Sequence, residues 1–162
     1  YLKSLKIELH IKEGNISNLD RSLQLLNKTN QFNLNGLRRT KHELIEMMKE
    51  GCKIFTGTIK DKNGSLGEVL VLIVDKKSKI LSFVMSCRVF QRRAEYAFLA
   101  YLRNCGFSEI SFDFIKTKRN QPFYEFALKV AEEYEGSRFS LKEENFNNLL
   151  KNFEGIIKIK KI

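Results

Sequence analysis

Apolar and polar positions alternate over residues 7–11 (IELHI), the period of a strand with one face buried. Residues 15–18 follow as a turn, and Ser17 or Asn18 is placed to cap a helix over about 19–27. Thr40 opens a second helix over about 41–49, with Glu43 three residues on to complete a capping box and Gly51 to end it. Three strands are then predicted, at 53–60, 67–75 and 80–85, joined by the turn formers Asp61-Lys62-Asn63-Gly64 and Lys76-Lys77-Ser78-Lys79. After Met85 the period changes. Ala94, Ala97, Phe98, Tyr101, Leu102 and Cys105 recur at spacings of three and four, which predicts a helix over 91–104 that Gly106 closes. Residues 109–115 (EISFDFI) return to a strand pattern, and a strand, helix, strand passage of this length predicts a parallel pair with a right-handed crossover. Asn120 and Pro122 begin another helix, with Phe123, Phe126, Ala127, Val130, Ala131 and Tyr134 as its buried stripe. A short strand from residue 138, a helix over 142–153 and a strand over 156–162 complete the chain. No repeat or linker interrupts this order, which predicts one α/β domain with a mixed sheet flanked by helices.

Composition narrows the class. At 162 residues, 43% hydrophobic and 30% charged, the chain matches one soluble globular domain able to bury a core. No apolar run approaches the roughly 20 residues of a membrane helix, and the N-terminus does not read as a signal peptide. The chain begins at Tyr1 rather than Met, as expected of a piece cut from a longer protein. Cys52, Cys87 and Cys105 are odd in number and lack metal-ligand spacing, so neither a metal site nor a disulfide framework is expected, and a reducing cytoplasm is the natural setting. The net charge is +10, yet no element interleaves basic and aromatic residues, so nucleic acid is not an expected partner. An acidic protein or a phosphorylated small molecule fits the charge better.

Chemistry is expected at the polar, basic elbow between strand 80–85 and the helix after it. A strand stopping against a helix start leaves N–H groups that attract phosphate, and Arg88, Arg92 and Arg93 add charge-assisted donors there. Cys87 stands beside Arg88, and positive charge near a helix N-terminus favours the thiolate, which attacks acyl phosphates and exchanges thioesters. The plainer alternative is a small buried side chain filling the strand end. A second cluster, Asn27 to Leu34 (NKTNQFNL), breaks the helix before it with amides that bond either to their own loop or to a ligand in a pocket. His10, His42 and Asp113 read as solvated or paired residues.

Those two clusters also carry a resemblance. Residues 25–33 (LLNKTNQFN) resemble the QLxxKTNQFN signature of the C-terminal domain of FkbH-like proteins. Ser86-Cys87-Arg88-Val89 matches that family's SCRV, and residues 114–122 (FIKTKRNQP) look like its Y-I-P-T-x-K-N-x-P segment. The opening YLKSL looks like the junction that follows its haloacid-dehalogenase-type domain, so the likeness runs from residue 1 to about 126. The resemblance implies a fold similar to the acyl-CoA N-acyltransferases (GNAT). It also implies a role beside that upstream domain in moving a glyceryl unit from 1,3-bisphosphoglycerate to an acyl carrier protein. On this basis Asn30, Gln31, Asn33, Arg88, Thr117 and Asn120 are expected substrate contacts, and Arg88, Arg92 and Arg93 are expected to meet a phosphopantetheine or CoA phosphate.

In a GNAT fold the strand before the long helix splays from its neighbour, acyl-CoA lies in the gap, and a turn resembling R/Q-x-x-G-x-G/A holds the pyrophosphate. Here Arg88 takes the first position, while Gln91 and Arg93 replace the two small residues. Side chains there crowd the approach of a phosphate, so weak CoA binding is expected. The tyrosine that can act as general acid in that fold is replaced by Phe126 and Ala127, with Tyr124 on another helical face. Three readings stay open: a carrier-handling domain of an FkbH-like protein, an acyl-CoA-dependent acyltransferase, and a non-catalytic interaction domain whose groove has closed.

Overall fold

The computed structural model describes residues 1–162. Its strands are β1 (Ile7–Glu13), β2 (Phe32–Asn33), β3 (Lys53–Asp61), β4 (Gly64–Val74), β5 (Lys79–Met85), β6 (Ile110–Asp113), β7 (Glu132–Tyr134), β8 (Arg138–Leu141) and β9 (Ile157–Lys161). Its helices are α1 (Asp20–Lys28), α2 (Lys41–Lys49), α3 (Ala94–Asn104), α4 (Gln121–Val130) and α5 (Glu143–Phe153). One mixed sheet runs in the order β7-β8-β6-β5-β4-β3-β1-β9, with β2 added against β5. β3, β4 and β5 form the expected antiparallel meander, and β6 lies parallel to β5 as predicted. No helix is long and apolar enough to cross a membrane.

Helices cover both faces, and the pleat decides which side chains meet them. In β4, Leu70, Leu72 and Val74 enter the larger core with α3, α4 and α5. Val71 and Ile73 alternate with them and meet Leu25, Leu26 and Leu44 of α1 and α2 on the other face. Burial on both sides accounts for the unbroken apolar run Val69 to Val74, each residue fully enclosed. The core is rich in phenylalanine. Phe83 lies edge-on to Phe32 (5.3 Å) and Phe123 (5.7 Å), which ties β2, β5 and α4 together.

Four local expectations change. α3 starts at Ala94 rather than at residue 91, because Gln91 and Arg93 adopt left-handed backbone (φ 68° and 64°) that no helix accommodates. α4 stops at Val130, and Ala131 turns extended (φ −132°, ψ 164°) to lead into β7, so Tyr134 lies outside the stripe assigned to it. Neither Ser17 nor Asn18 caps α1. Asn15 and Asn18 instead cap the short 3₁₀ turn Ile16–Asn18 that precedes it. The Thr40 cap is present, its Oγ1 accepting from Glu43 N at 3.1 Å, but the Glu43 carboxylate takes the Thr40 hydroxyl proton instead of the backbone bond that would complete a box.

The feature that positions the site is the opening between β5 and β6. These strands pair at only two positions, Lys79 with Ser111 and Ile80 with Phe112, and then part. The chain itself fills the widening space. Phe32 and Asn33 pair antiparallel with Met85 and Val84. Leu34 N donates to Phe83 O (3.1 Å), and on the other side Ile115 N donates to Leu34 O (3.2 Å). Residues 32–34 therefore form a short bridging strand where sequence alone indicates a loop.

Candidate functional site

Asparagines hold this bridging strand in place. Asn27 pairs both halves of its amide with the Arg39 backbone, Nδ2 donating to O and Oδ1 accepting from N, each at 2.8 Å. Asn33 accepts from Asn35 N (3.1 Å) and Gly36 N (2.8 Å) and donates to Thr29 O (2.9 Å). Asn120 donates to Asn33 O and Ile115 O, both at 2.9 Å, and accepts from Thr117 N at 2.8 Å. Thr117 Oγ1 in turn accepts from Arg119 N and Asn120 N (3.2 Å each). Gly36 must lack a side chain, since its φ is +69° and a Cβ would lie 2.6 Å from Thr117 Cγ2.

This network separates the expected contact residues into two groups. Asn33 (2% exposed) and Asn120 (0%) spend their amides on backbone, and Thr117 caps the turn before α4. For Asn33 and Asn120 the expected place against substrate gives way to a scaffolding one, because an amide with its donors and acceptors engaged has little left for a ligand, whereas Thr117 both caps that turn and lines a polar depression beside the cleft. Asn120 occupies the N-cap position of α4 without making the cap bond expected of it. Asn30 and Gln31, by contrast, reach a cleft of about 300 Å³ between the amide loop and the elbow. Asn30 Oδ1 is steadied there by Arg38 Nη2 at 2.7 Å. Asn27 and Asn33 thus bond within their own loop and its neighbours, while Asn30 and Gln31 line the cleft.

The elbow forms the opposite wall. Cys87 lies in a 3₁₀ turn, Cys87–Val89, seven residues before α3 rather than at its N-terminus. It is exposed, unlike Cys52 and Cys105, which removes the reading of Cys87 as a buried filler. Ser86 Oγ caps the turn and accepts from both N and Nε of Arg88 at 3.4 Å, which folds that side chain back onto Ser86. Arg21, Lys28 and Arg119 complete the charge of the cleft, and no carboxylate lines it. None of these four cations makes a salt bridge, although ten salt bridges form elsewhere. A polar depression of about 260 Å³ shares Thr29, Asn30 and Arg119 with the cleft and adds Asn33, Arg38, Thr117 and Lys118. Arg21 spends Nη1 on Gln24 and Nη2 on Glu68 O (3.2 Å), and cations without carboxylate partners on facing walls attract an anion.

Arg92 and Arg93 do not join them. Arg92 Nη2 approaches Asp61 at 3.6 Å and its Nη1 donates to Arg88 O, while Arg93 Nη1 reaches Asn152 O on α5 at 3.1 Å. Their guanidinium groups tie the elbow to the body of the domain, so the expected phosphate contacts reduce to Arg88. Phe126 and Ala127 are buried in the aromatic core, and the Tyr124 hydroxyl donates to Glu133 at 3.0 Å, so neither supplies an acid to the cleft. Asp113 pairs with Lys79 (2.7 Å) and Arg138 (3.7 Å), as a strand carboxylate ordinarily does.

Sequence reasoning missed Glu95 and Tyr96, which line a smaller chamber of about 180 Å³ where α3 begins. Glu95 is only 8% exposed, and burial, the largest influence, pushes its carboxyl up to about 7 against the opposing pull of its own backbone N–H, Lys129 and Arg93. Burial also raises the Tyr96 hydroxyl, with Glu95 adding to the shift. The signal was present in the sequence. Glu95 precedes Phe98, Leu99 and Leu102 by three, four and seven residues, which places a carboxyl on an apolar stripe.

No family model matches the chain, and no curated protein does. Among solved structures similar in fold are these two. One is apo FdhC, described as a nucleotide-linked sugar GNAT, with TM-score 0.58 and 14% identity over 94% of this chain and 97% of that one. The other is a chimera of the Vibrio cholerae spermidine N-acetyltransferase SpeG with hSSAT, with TM-score 0.52 and 8% identity over 86% of this chain and 98% of that one. The fold is therefore GNAT-like. Within it, the gap expected to admit acyl-CoA is occupied by residues 32–34 of the chain itself.

Proposed function

We propose that this domain handles an acyl group: it holds a phosphorylated acyl donor in the basic cleft and carries the acyl unit on Cys87. The observation that supports this is an exposed thiol in the wall of a cleft whose only charges are four cations free of salt bridges, Arg21, Lys28, Arg88 and Arg119. The phosphate of an acyl phosphate meets these cations, and Asn30 and Gln31 offer hydrogen bonds to hydroxyls on a small acyl unit. In the reaction the Cys87 thiolate attacks the acyl carbon, a C–S bond forms, the C–O bond to phosphate breaks, and phosphate leaves with that electron pair. Taken with the FkbH-like resemblance, the donor is 1,3-bisphosphoglycerate and the unit is glyceryl. The acceptor is the phosphopantetheine thiol of an acyl carrier protein, and an upstream haloacid-dehalogenase-type domain removes phosphate.

The test is to incubate the protein with 1,3-bisphosphoglycerate, quench in acid and measure intact mass. The expected result is one adduct that maps to Cys87, is absent in Cys87→Ser, and is discharged by a carrier protein bearing phosphopantetheine. Failure to form the adduct, or its persistence in Cys87→Ser, overturns the proposal. Stable acetyl-CoA binding with no adduct would favour the acyl-CoA-dependent transferase instead.

A further inference from the structure

The chamber beneath the start of α3 differs in charge from the basic cleft, although the two share Phe32, Met85 and Phe90 as walls. The cleft has cations and no carboxylate. The chamber has Glu95 on its inner side, and Gln91, Glu125 and Lys129, all exposed, at its rim. Tyr96 and Phe126, edge-on at 5.2 Å, supply apolar wall. Glu95 makes no hydrogen bond or ion pair with another side chain; the bond that steadies its carboxylate comes from its own backbone N–H. A carboxyl this enclosed, turned to a cavity and held only by its own backbone N–H, costs the fold stability that glutamine or an aliphatic side chain would not. Such groups concentrate where protons are moved.

We propose that this chamber is a second subsite, which takes a protic nucleophile without negative charge, and that Glu95 is the catalytic residue that accepts its proton. The inference rests on the acyl-handling reading, since the nucleophile must have an acyl group to attack. Charge sorts the two ligands: a phosphate belongs with Arg21, Lys28, Arg88 and Arg119, whereas the chamber offers it a single cation, Lys129, set against Glu125 and Glu95. Cys87 stands on the elbow between Met85 and Phe90, two of the shared walls. In the step, the S–H, N–H or O–H proton passes to a Glu95 carboxylate oxygen as the heteroatom bonds to the acyl carbon. The C–S bond to Cys87 then breaks, its electron pair returns to sulfur, and Glu95 passes the proton to that sulfur or to solvent. A carboxyl poised near neutrality suits this exchange, because it gains and loses the proton at similar cost.

Two arms test the proposal. In the first, amide and side-chain NMR follows additions of inorganic phosphate and of N-acetylcysteamine, a neutral thiol. Phosphate should move Asn30, Gln31 and Arg88 only, and N-acetylcysteamine should move Gln91, Tyr96 and the Glu95 carboxyl carbon. In the second, Cys87 is acylated with acetyl phosphate and its discharge onto N-acetylcysteamine is followed across pH. Discharge should rise through about pH 7, and Glu95→Gln should slow it at least ~10-fold and abolish the inflection, within the span general-base catalysis supplies. Glu95→Asp should recover part of the rate, while acylation of Cys87 proceeds equally in all three proteins. Phosphate entering the chamber, N-acetylcysteamine confined to the basic cleft, or an unchanged rate and pH profile in Glu95→Gln would each overturn the subsite. If Cys87 takes no acyl group the acyl-handling reading itself fails, and the NMR arm still decides whether the chamber binds a neutral nucleophile.

Discussion

Cys87 is the exposed thiol of the three, and that difference sets its chemistry. Cys52 is half-buried, and burial first, then Asp75 and Glu50, push its thiol upward, which lowers its thiolate fraction at neutral pH. Iodoacetamide at pH 7 should therefore label Cys87 first; mapping the modified peptides gives the order, and Cys52 labelled as fast as Cys87 would remove the thiol from the proposed chemistry. Glu95 makes a thermodynamic prediction as well. Its carboxyl lies at about 7 in the folded protein against 4.5 when unperturbed, so between those values the folded state binds the extra proton. Stability from this group is full below about pH 4.5 and is lost as pH rises through 7. The difference amounts to about 3 kcal/mol at most, at 1.36 kcal/mol per pKa unit. Glu95→Gln should flatten the decline in denaturant-derived stability between pH 5 and 8 and leave the variant the more stable protein at pH 8. An equal decline in both proteins would show that the carboxyl is not buried in a neutral state.

At the scale of elements, the long segments were legible. The meander β3 to β5, the parallel β6 and the helices α2 and α5 follow from period and turn chemistry that tertiary contacts reinforce. What the pattern missed depends on distant partners. β2 has only two residues, and it is a strand because Met85 and Val84 present a free edge where β5 leaves β6. Asn33 and Asn120 looked like ligand contacts because an amide's type does not tell whether its bonds close inward or face a cavity. The 87-residue separation between them, bridged by one bond from Asn120 Nδ2 to Asn33 O, lies beyond any local pattern. Asn30 and Gln31 reach the cleft, and their exposure was equally invisible. Mutagenesis should resolve the two groups cleanly. Asn120→Ala leaves Asn33 O, Ile115 O and Thr117 N without their partner, at about 1–3 kcal/mol for each group left unsatisfied. At about 2–4 °C per kcal/mol for a domain this size, its melting temperature should fall by roughly 6 °C or more. Asn30→Ala at the cleft should melt within about 2 °C of the parent, a surface-scale effect. Calorimetric melting of the two variants checks this, and equal shifts would erase the division between scaffold and cleft.

Across the whole molecule, a GNAT-like frame is combined with an opening between β5 and β6 that the chain itself fills. At the elbow, Gln91 and Arg93 hold left-handed φ values of 68° and 64° where glycine would be at ease. Each costs roughly 1–2 kcal/mol relative to an unstrained residue. Shape alone does not make a CoA site, because the adjoining opening is closed. Along β5, Val84 and Met85 pair with Asn33 and Phe32, Leu81 O accepts from Asn35 Nδ2 and Arg39 Nη2, and Phe83 O accepts from Leu34 N. An incoming pantetheine arm finds no free backbone on that edge and would have to displace Phe32, a ring enclosed by Phe83, Phe123 and Phe126. Exposing a core phenylalanine costs about 1.5–3 kcal/mol, and about 1.4 kcal/mol is a factor of ten in affinity. Acetyl-CoA should therefore bind only weakly, and Gln91→Gly should not restore it, because the barrier is the bridging strand and not the side chain at the turn. Gln91→Gly should instead raise stability by relieving the strained φ. Calorimetric titration at low salt with a parallel thermal melt reads both quantities. Micromolar binding by the parent protein would mean that residues 32–34 leave the gap readily, whereas tight binding gained only in Gln91→Gly would place the obstruction at the turn.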